Sequence, residues 1–137
     1  MALDVGEATV GVAVSDPLGI TAQPITTVRR RGLKHDLRTL ADLAARHEVG
    51  TIVVGLPLRM SGVAGSRASD AETFAHRVRE ALGLPVVTWD ERLSTVQAER
   101  CLLEADLSRR RRREVINHVA AAIILQAYLD SRPRTRP

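Results

Sequence analysis

The stretch Met1-Ala2-Leu3-Asp4-Val5-Gly6-Glu7-Ala8-Thr9-Val10-Gly11-Val12-Ala13-Val14 decides the fold. It holds two short apolar runs, rich in β-branched residues and separated at Gly6, which is the pattern of two strands joined by a turn. A third run, Ile20 to Val28, follows the turn residues Asp16-Pro17-Leu18-Gly19, so the chain opens as an antiparallel meander. Leu33, Leu37, Leu40, Leu43 and Ala44 then recur at helical spacing, and Thr51-Ile52-Val53-Val54 has the unbroken apolar character of a strand covered on both faces. A helix feeding such a strand is a crossover to a parallel neighbour. After a glycine-rich loop from Gly55 to Gly65, Ala71, Phe74, Ala75, Val78 and Leu82 mark one face of a second helix, and Leu84 to Trp89 forms the next strand. Ser94 followed by Gln97 reads as a capping box opening a third helix, and Arg109 to about Asp130 as a long, alanine-rich final helix. The fold class is therefore α/β: a mixed five-stranded sheet with helices on both faces, its first strand lying centrally beside the fourth.

The 137 residues are 45% hydrophobic and 26% charged, which suits one domain spanning 1–137 with a single core. Aromatic residues make up only 2%, so the core is built from Val, Ile, Leu and Ala, and base stacking on an aromatic platform is disfavoured. The formal net charge of +4 favours a polyanionic partner. Its distribution is uneven: Arg109 to Arg113 are consecutive arginines, Arg29 to Arg31 form a second cluster, and Arg132, Arg134 and Arg136 lie in a segment, 132–137, that reads as a flexible tail. Cys101 is the only cysteine, which excludes an intrachain disulfide and suits a reducing cytoplasm. No leader-like segment is evident, and no apolar run approaches the roughly 18 residues of a spanning helix, so no membrane role is expected.

Two acidic positions carry the functional reading. Asp4 ends the first strand, and Asp90-Glu91-Arg92 ends the strand that follows the second helix. Carboxylates gathered at neighbouring strand ends form a site for a hard divalent cation, and such ions polarise phosphate oxygens and activate water. In a basic protein this combination suggests phosphodiester hydrolysis. The bland alternative is that these acids cap turns or pair with arginine, Arg92 being adjacent. A third possibility, a nucleotide binder of the actin-like or sugar-kinase-like type, also begins with an Asp-x-Gly strand but requires a second domain that this length excludes.

Four motifs in order resemble the YqgF family of ribonuclease H-like proteins, related to Holliday junction resolvases of the RuvX and RuvC type. They are Leu3-Asp4-Val5-Gly6 with Val10 to Asp16; Gly55-Leu56-Pro57 with Met60, Gly62 and Gly65; Asp90-Glu91-Arg92-Leu93-Ser94-Thr95; and Ala120 to Leu129. The resemblance spans nearly the whole chain. It implies a metal-dependent nuclease that matures the 5′ end of the pre-16S ribosomal RNA, with cleavage of branched DNA as the competing assignment. By the same resemblance Asp4 and Glu91 are ligands of Mg²⁺ or Mn²⁺, while Asp90 is either a ligand or a group supporting one. Gly6 lets phosphate or backbone approach the metal closely. Arg92 either holds Glu91 or contacts phosphate; Arg59, in the glycine-rich loop, and Arg109, Arg110, Arg111, Arg112 and Arg113 are nucleic-acid-binding candidates. The helix after that loop begins near Ser66, Ala68 and Ser69, where free N–H groups suit a phosphate, although a plain connector reads equally well.

The family pattern fails in two places. Relatives commonly carry Lys-Arg-Ile where this chain has Glu7-Ala8-Thr9, which substitutes one negative charge for two positive ones. The final helix of relatives presents an aspartate at the position of Asn117, whose amide oxygen brings a metal no charge. Glu114, three residues earlier on the same helical face, is the candidate to compensate. Asn117 thus counts as a catalytic position and Glu114 as a metal ligand, with the alternative that the protein binds nucleic acid without cutting it. A homodimer is compatible with the sequence but not read from it.

Overall fold

The computed structural model describes residues 1–58, 65–96, 98–100, 102 and 109–133, with residues 109–115 as helical backbone alone. The elements run β1 (Ala2–Val5), β2 (Thr9–Ser15), β3 (Ala22–Arg29), α1 (Leu33–Arg46), β4 (Ile52–Leu56), α2 (Ser66–Leu82), β5 (Val86–Asp90), a 3₁₀ turn over Glu91–Leu93, and α3 (Arg109–Ser131). Val96 and residues 98–100 and 102 are helical as well. The five strands form one sheet in the order β3-β2-β1-β4-β5, with the β1–β2 and β2–β3 pairs antiparallel and the β1–β4 and β4–β5 pairs parallel. The mixed ribonuclease H-like sheet expected from the meander and the two crossovers is the one observed.

Strand alternation divides the core in two. Leu3, Val5, Val10, Val12, Ile52 and Val54 point to one face, where they pack with Leu40 and Ala44 of α1 and Ala71, Phe74 and Val78 of α2. Ala2, Ala13 and Val53 point to the other and pack against Ala120, Ala121, Ile124 and Leu125 of α3. The small residues on the second face let α3 lie close to the sheet. Burial of each large aliphatic side chain on either face contributes about 1.5–3 kcal/mol.

β3 begins at Ala22 rather than at Ile20. Asp16 Oδ1 accepts from Ile20 N at 2.7 Å and Thr21 N at 2.9 Å, so these amides close a loop instead of joining the ladder. Gln126 of α3 fastens the same segment, accepting from Ala22 N and donating to Ile20 O, each at 2.9 Å. Pro24 sits in β3 opposite Ala13, where the register shifts, and is tolerated because β3 is an edge strand. At the other end of the chain, Arg132 lies over the Tyr128 ring, and residues 134–137 of the expected tail lie outside the described residues.

Candidate active site

Asp4 is the last residue but one of the central strand and lies on the α3 face, with glycines flanking it on both neighbouring strands. It pairs directly with Gly11 of β2, and on the parallel side Leu3 pairs with Val54, which brings Gly55 of β4 alongside. A Cβ on Gly11 would stand 1.9 Å from the carbonyl oxygen of Asn117, so bare backbone here lets α3 approach beside Asp4. A Cβ on Gly55 would stand 2.7 Å from Ile124 Cδ1 and 3.4 Å from Glu91 Oε1. The two glycines thus clear the space into which Glu91 and the final helix bring their polar groups.

Glu91 reaches that space from the 3₁₀ turn after β5, the outer strand next to β4. Its side chain is 1% exposed, and its Oε2 has no hydrogen-bond partner among the described residues. Between Asp4 and Glu91 stands Arg100, which the sequence reading missed. Its Nη2 donates to Asp4 Oδ1 at 2.8 Å and to Glu91 Oε1 at 3.2 Å. One signal was available: Val96, buried in the core of the α3 face, and Arg100 are four apart in a helical segment, so an inward position of that helix carries a cation.

The electrostatics follow from burial. Desolvation pushes both Asp4 and Glu91 above the ordinary carboxylate range despite the opposing charge of Arg100, and for Glu91 the negative charge of Asp4 adds to the rise. Arg67, in the first turn of α2, contributes a smaller opposing pull on both acids. Burial pulls Arg100 down, but Asp4 and Glu91 together outweigh it and hold the guanidinium above its usual value.

Asp90 faces a different partner. Its carboxylate accepts from Arg92 N at 2.9 Å and Nε at 3.0 Å through Oδ1, and from Nη2 at 2.6 Å through Oδ2, so it caps the turn that carries Glu91. Arg92 therefore engages the acid that precedes Glu91 in the chain. Asn117 donates from Nδ2 to Thr9 Oγ1, beside the Asp4–Gly11 pair, which leaves its Oδ1 as the atom with metal-binding chemistry. His118, the next residue, shares a hydrogen bond of 3.0 Å with Thr27 Oγ1 on β3. The side chains of Glu114 and of Arg109 to Arg113, and all of Arg59, lie outside the described residues.

Gly6 belongs to the β1–β2 turn, where its N–H donates to Thr9 O at 2.8 Å and its carbonyl accepts from Arg30 Nη1 at 2.9 Å. Arg30, from the second arginine cluster, is placed by Asp36 at 3.7 Å and by the Phe74 ring. Gly65 caps α2 without a side-chain bond, and Ser69 N already donates to Gly65 O, so the amides before Ser69 are the ones that face outward from the helix end.

Among the described residues no group of three or more His, Cys, Asp or Glu side chains gathers around one point. Two carboxylates do converge, and the buried Glu91 Oε2, which has no partner among the described residues, is a ligand atom suited to a hard cation. The residues present fit a divalent ion held by Asp4 and Glu91. No helix among the described residues is long and apolar enough to cross a membrane.

A family model described as "RuvX: Holliday junction resolvase" matches residues 1–131. A protein of Myxococcus xanthus named "Putative pre-16S rRNA nuclease" is 60% identical over 131 residues, covering 96% of this chain and 87% of that protein. One of the same name from Moorella thermoacetica is 58% identical over 130 residues, covering 95% of this chain and 93% of its own. Among solved structures, "T. thermophilus RuvC in complex with Holliday junction substrate" superposes with a TM-score of 0.57 at 14% identity, over 93% of this chain and 90% of that one, which is a likeness of fold.

Proposed function

Since the chain belongs to the RuvX family, we propose that it is a divalent-metal-dependent nuclease that hydrolyses phosphodiester bonds, with the 5′ end of the pre-16S ribosomal RNA as its substrate. The observation that carries this reading is the convergence of Asp4 and Glu91, from the central strand and from the turn after the outermost parallel strand, on one cation position. A bound Mg²⁺ or Mn²⁺ would supply Lewis-acid polarisation of a phosphate oxygen and would lower the pKa of water.

The chain's own residues supply the rest. Asp4 and Glu91 are the proposed ligands. Burial keeps their competition with water low, and the glycine pair lets α3 and the Glu91 side chain close in beside Asp4. Asp90 holds the turn that presents Glu91. Arg67, Arg92 and the basic start of α3 provide positive charge for a polyanion. The 60% and 58% identical relatives favour ribosomal RNA over branched DNA.

A second reading, binding without cleavage, is favoured by one observation: Asn117 stands beside Asp4, already bonded to Thr9, in place of a third acid. A single experiment separates these readings. A precursor spanning the 5′ end of 16S ribosomal RNA, single-stranded DNA and a four-way DNA junction are each incubated with Mg²⁺, Mn²⁺ or chelator. Metal-dependent cutting of the RNA supports the proposal, cutting of the junction alone transfers the activity to branched DNA, and tight binding without cutting on all three supports the second reading.

A further inference from the structure

Arg100 comes from an element separate from both acids, and a single atom of it, Nη2, contacts an oxygen of each. A divalent ion held by Asp4 and Glu91 would compete with Arg100 for the gap between them. We propose that Arg100 is a built-in counter-cation, which holds the two carboxylates together while no metal is bound and must withdraw when a divalent ion enters, so that it sets the metal affinity of the site. This inference rests on the reading that the Asp4–Glu91 pair binds a divalent ion.

Three observations carry it. First, two acids buried this deeply, with Glu91 only 1% exposed, need a compensating charge; without one their mutual repulsion and desolvation would oppose folding. Arg100 provides it. Second, the compensation is incomplete on the inner side. Among the described residues Glu91 Oε2 has no partner while Oε1 takes the guanidinium, and one positive charge offsets only one of two carboxylates, so charge and a ligand atom are left for a metal. Third, Arg100 has a way out. Its side chain is 20% exposed, against 11% for Asp4, and a long stem lets the charged head turn to solvent or to a phosphate while its helix stays in place. A guanidinium and a divalent ion side by side would repel strongly in so buried a setting, so the two occupants exclude one another.

The test is Mn²⁺ binding by the full chain, read from the electron paramagnetic resonance signal of free Mn²⁺ at neutral pH, for the wild type and for Arg100→Ala, Arg100→Gln and Arg100→Lys. Removing the competing charge should tighten Mn²⁺ binding on the order of tenfold or more in the Ala and Gln variants, whereas Lys should stay near the wild type. Millimolar guanidinium chloride, but not equal sodium chloride, should weaken Mn²⁺ binding to Arg100→Ala. Without metal, Arg100→Gln should melt below the wild type, and saturating Mn²⁺ should close that gap. Should Arg100→Ala not fold, the Gln variant, which keeps most of the stem, carries the same comparison. Mn²⁺ affinity that is equal or weaker in Arg100→Gln overturns the inference alone and makes Arg100 a strut for the ligands. Absence of Mn²⁺ binding from the wild type and every variant overturns the metal reading as well.

Discussion

Gly11 and Asn117 meet backbone to backbone: the space where a Cβ on Gly11 would stand is 1.9 Å from the Asn117 carbonyl oxygen and 2.3 Å from its carbonyl carbon. The contact sets the height of α3 over the sheet at the residue opposite Asp4. Because the obstructing atoms are backbone, no side-chain rotation relieves them. Gly11→Ala should therefore destabilise the protein by about 2–3 kcal/mol, the upper range of overpacking, and weaken Mn²⁺ binding by displacing α3. Gly50→Ala, where a Cβ meets nothing within 4 Å, is the control and should stay within about 0.5 kcal/mol of the wild type in thermal or denaturant melts. Equal effects would mean that the contact is not the constraint it looks to be.

The acids divide by what they touch. Asp4 and Glu91 share Arg100 in a buried gap, whereas Asp90 is bound by Arg92 and closes a turn. Asp4→Asn and Glu91→Gln should each lower metal-dependent cleavage by more than about 100-fold, and Asp90→Asn by less than about tenfold, since an asparagine still caps the turn. Cleavage rates at saturating Mg²⁺, with circular dichroism to verify folding, decide this. A complete loss in Asp90→Asn would move Asp90 among the ligands.

Most of this architecture was legible in the sequence because it rests on periodicity. Val10, Val12 and Val14 alternate with Gly11 and Ala13, and that alternation alone separates the α1–α2 face from the α3 face. Asp4 and Glu91 were legible as polar residues at the ends of apolar runs. Arg100 was marked only by its spacing from Val96, because its role depends on a contact across 96 residues that such spacing does not encode. The start of β3 failed for a similar reason: Ile20 and Thr21 have strand-forming side chains, but their amides are taken by Asp16 Oδ1. Arg92 reads from the sequence as holding Glu91 or meeting phosphate, whereas the cap geometry of the turn pairs it with Asp90.

Burial raises Asp4 and Glu91 above their ordinary values near about 4. Between the ordinary and the raised values the folded protein retains protons that the unfolded chain has released. Their contribution to stability is therefore complete at acid pH and is lost as pH rises through the raised values. In chelator, the melting temperature of the wild type should fall on going from pH 4 towards neutrality more steeply than that of Asp4→Asn, which lacks one of the two groups. Saturating Mn²⁺ should reverse the slope, because the metal selects the ionised acids. Parallel curves for the two proteins in chelator would remove Asp4 as a source of the pH dependence.

The five arginines from Arg109 to Arg113 occupy the first positions of α3, where cations oppose the helix dipole at a cost of up to about 1 kcal/mol each. Phosphate binding is the reason proposed for retaining them. Replacing all five by glutamine should stabilise α3 slightly, weaken nucleic-acid binding, and flatten its salt dependence by about 0.7 units of log-log slope per lost contact on single strands or about 0.9 on duplex DNA. Fluorescence anisotropy across a salt series measures this, and an unchanged slope would reduce the cluster to solvated surface.

Asn117→Asp tests whether the final helix contributes to the metal site. The asparagine now donates from Nδ2 to Thr9 Oγ1; an aspartate would accept from that hydroxyl instead and bring a negative charge beside Asp4. In chelator this adds a third acid to a pair that a single Arg100 only partly offsets, so the melting temperature should fall. With Mn²⁺ the added charge becomes a favourable ligand, so the variant should melt above the wild type and cleave faster, most visibly at limiting metal. Glu114→Gln gives the opposite comparison. If Glu114 already supplies the third charge, its loss should cripple cleavage, and Asn117→Asp should help little because like charge then crowds the site. The crossing of the two melting curves, lower without metal and higher with it, is the signature of a position facing the ion; curves that shift together in both conditions would show that α3 takes no part in holding the metal.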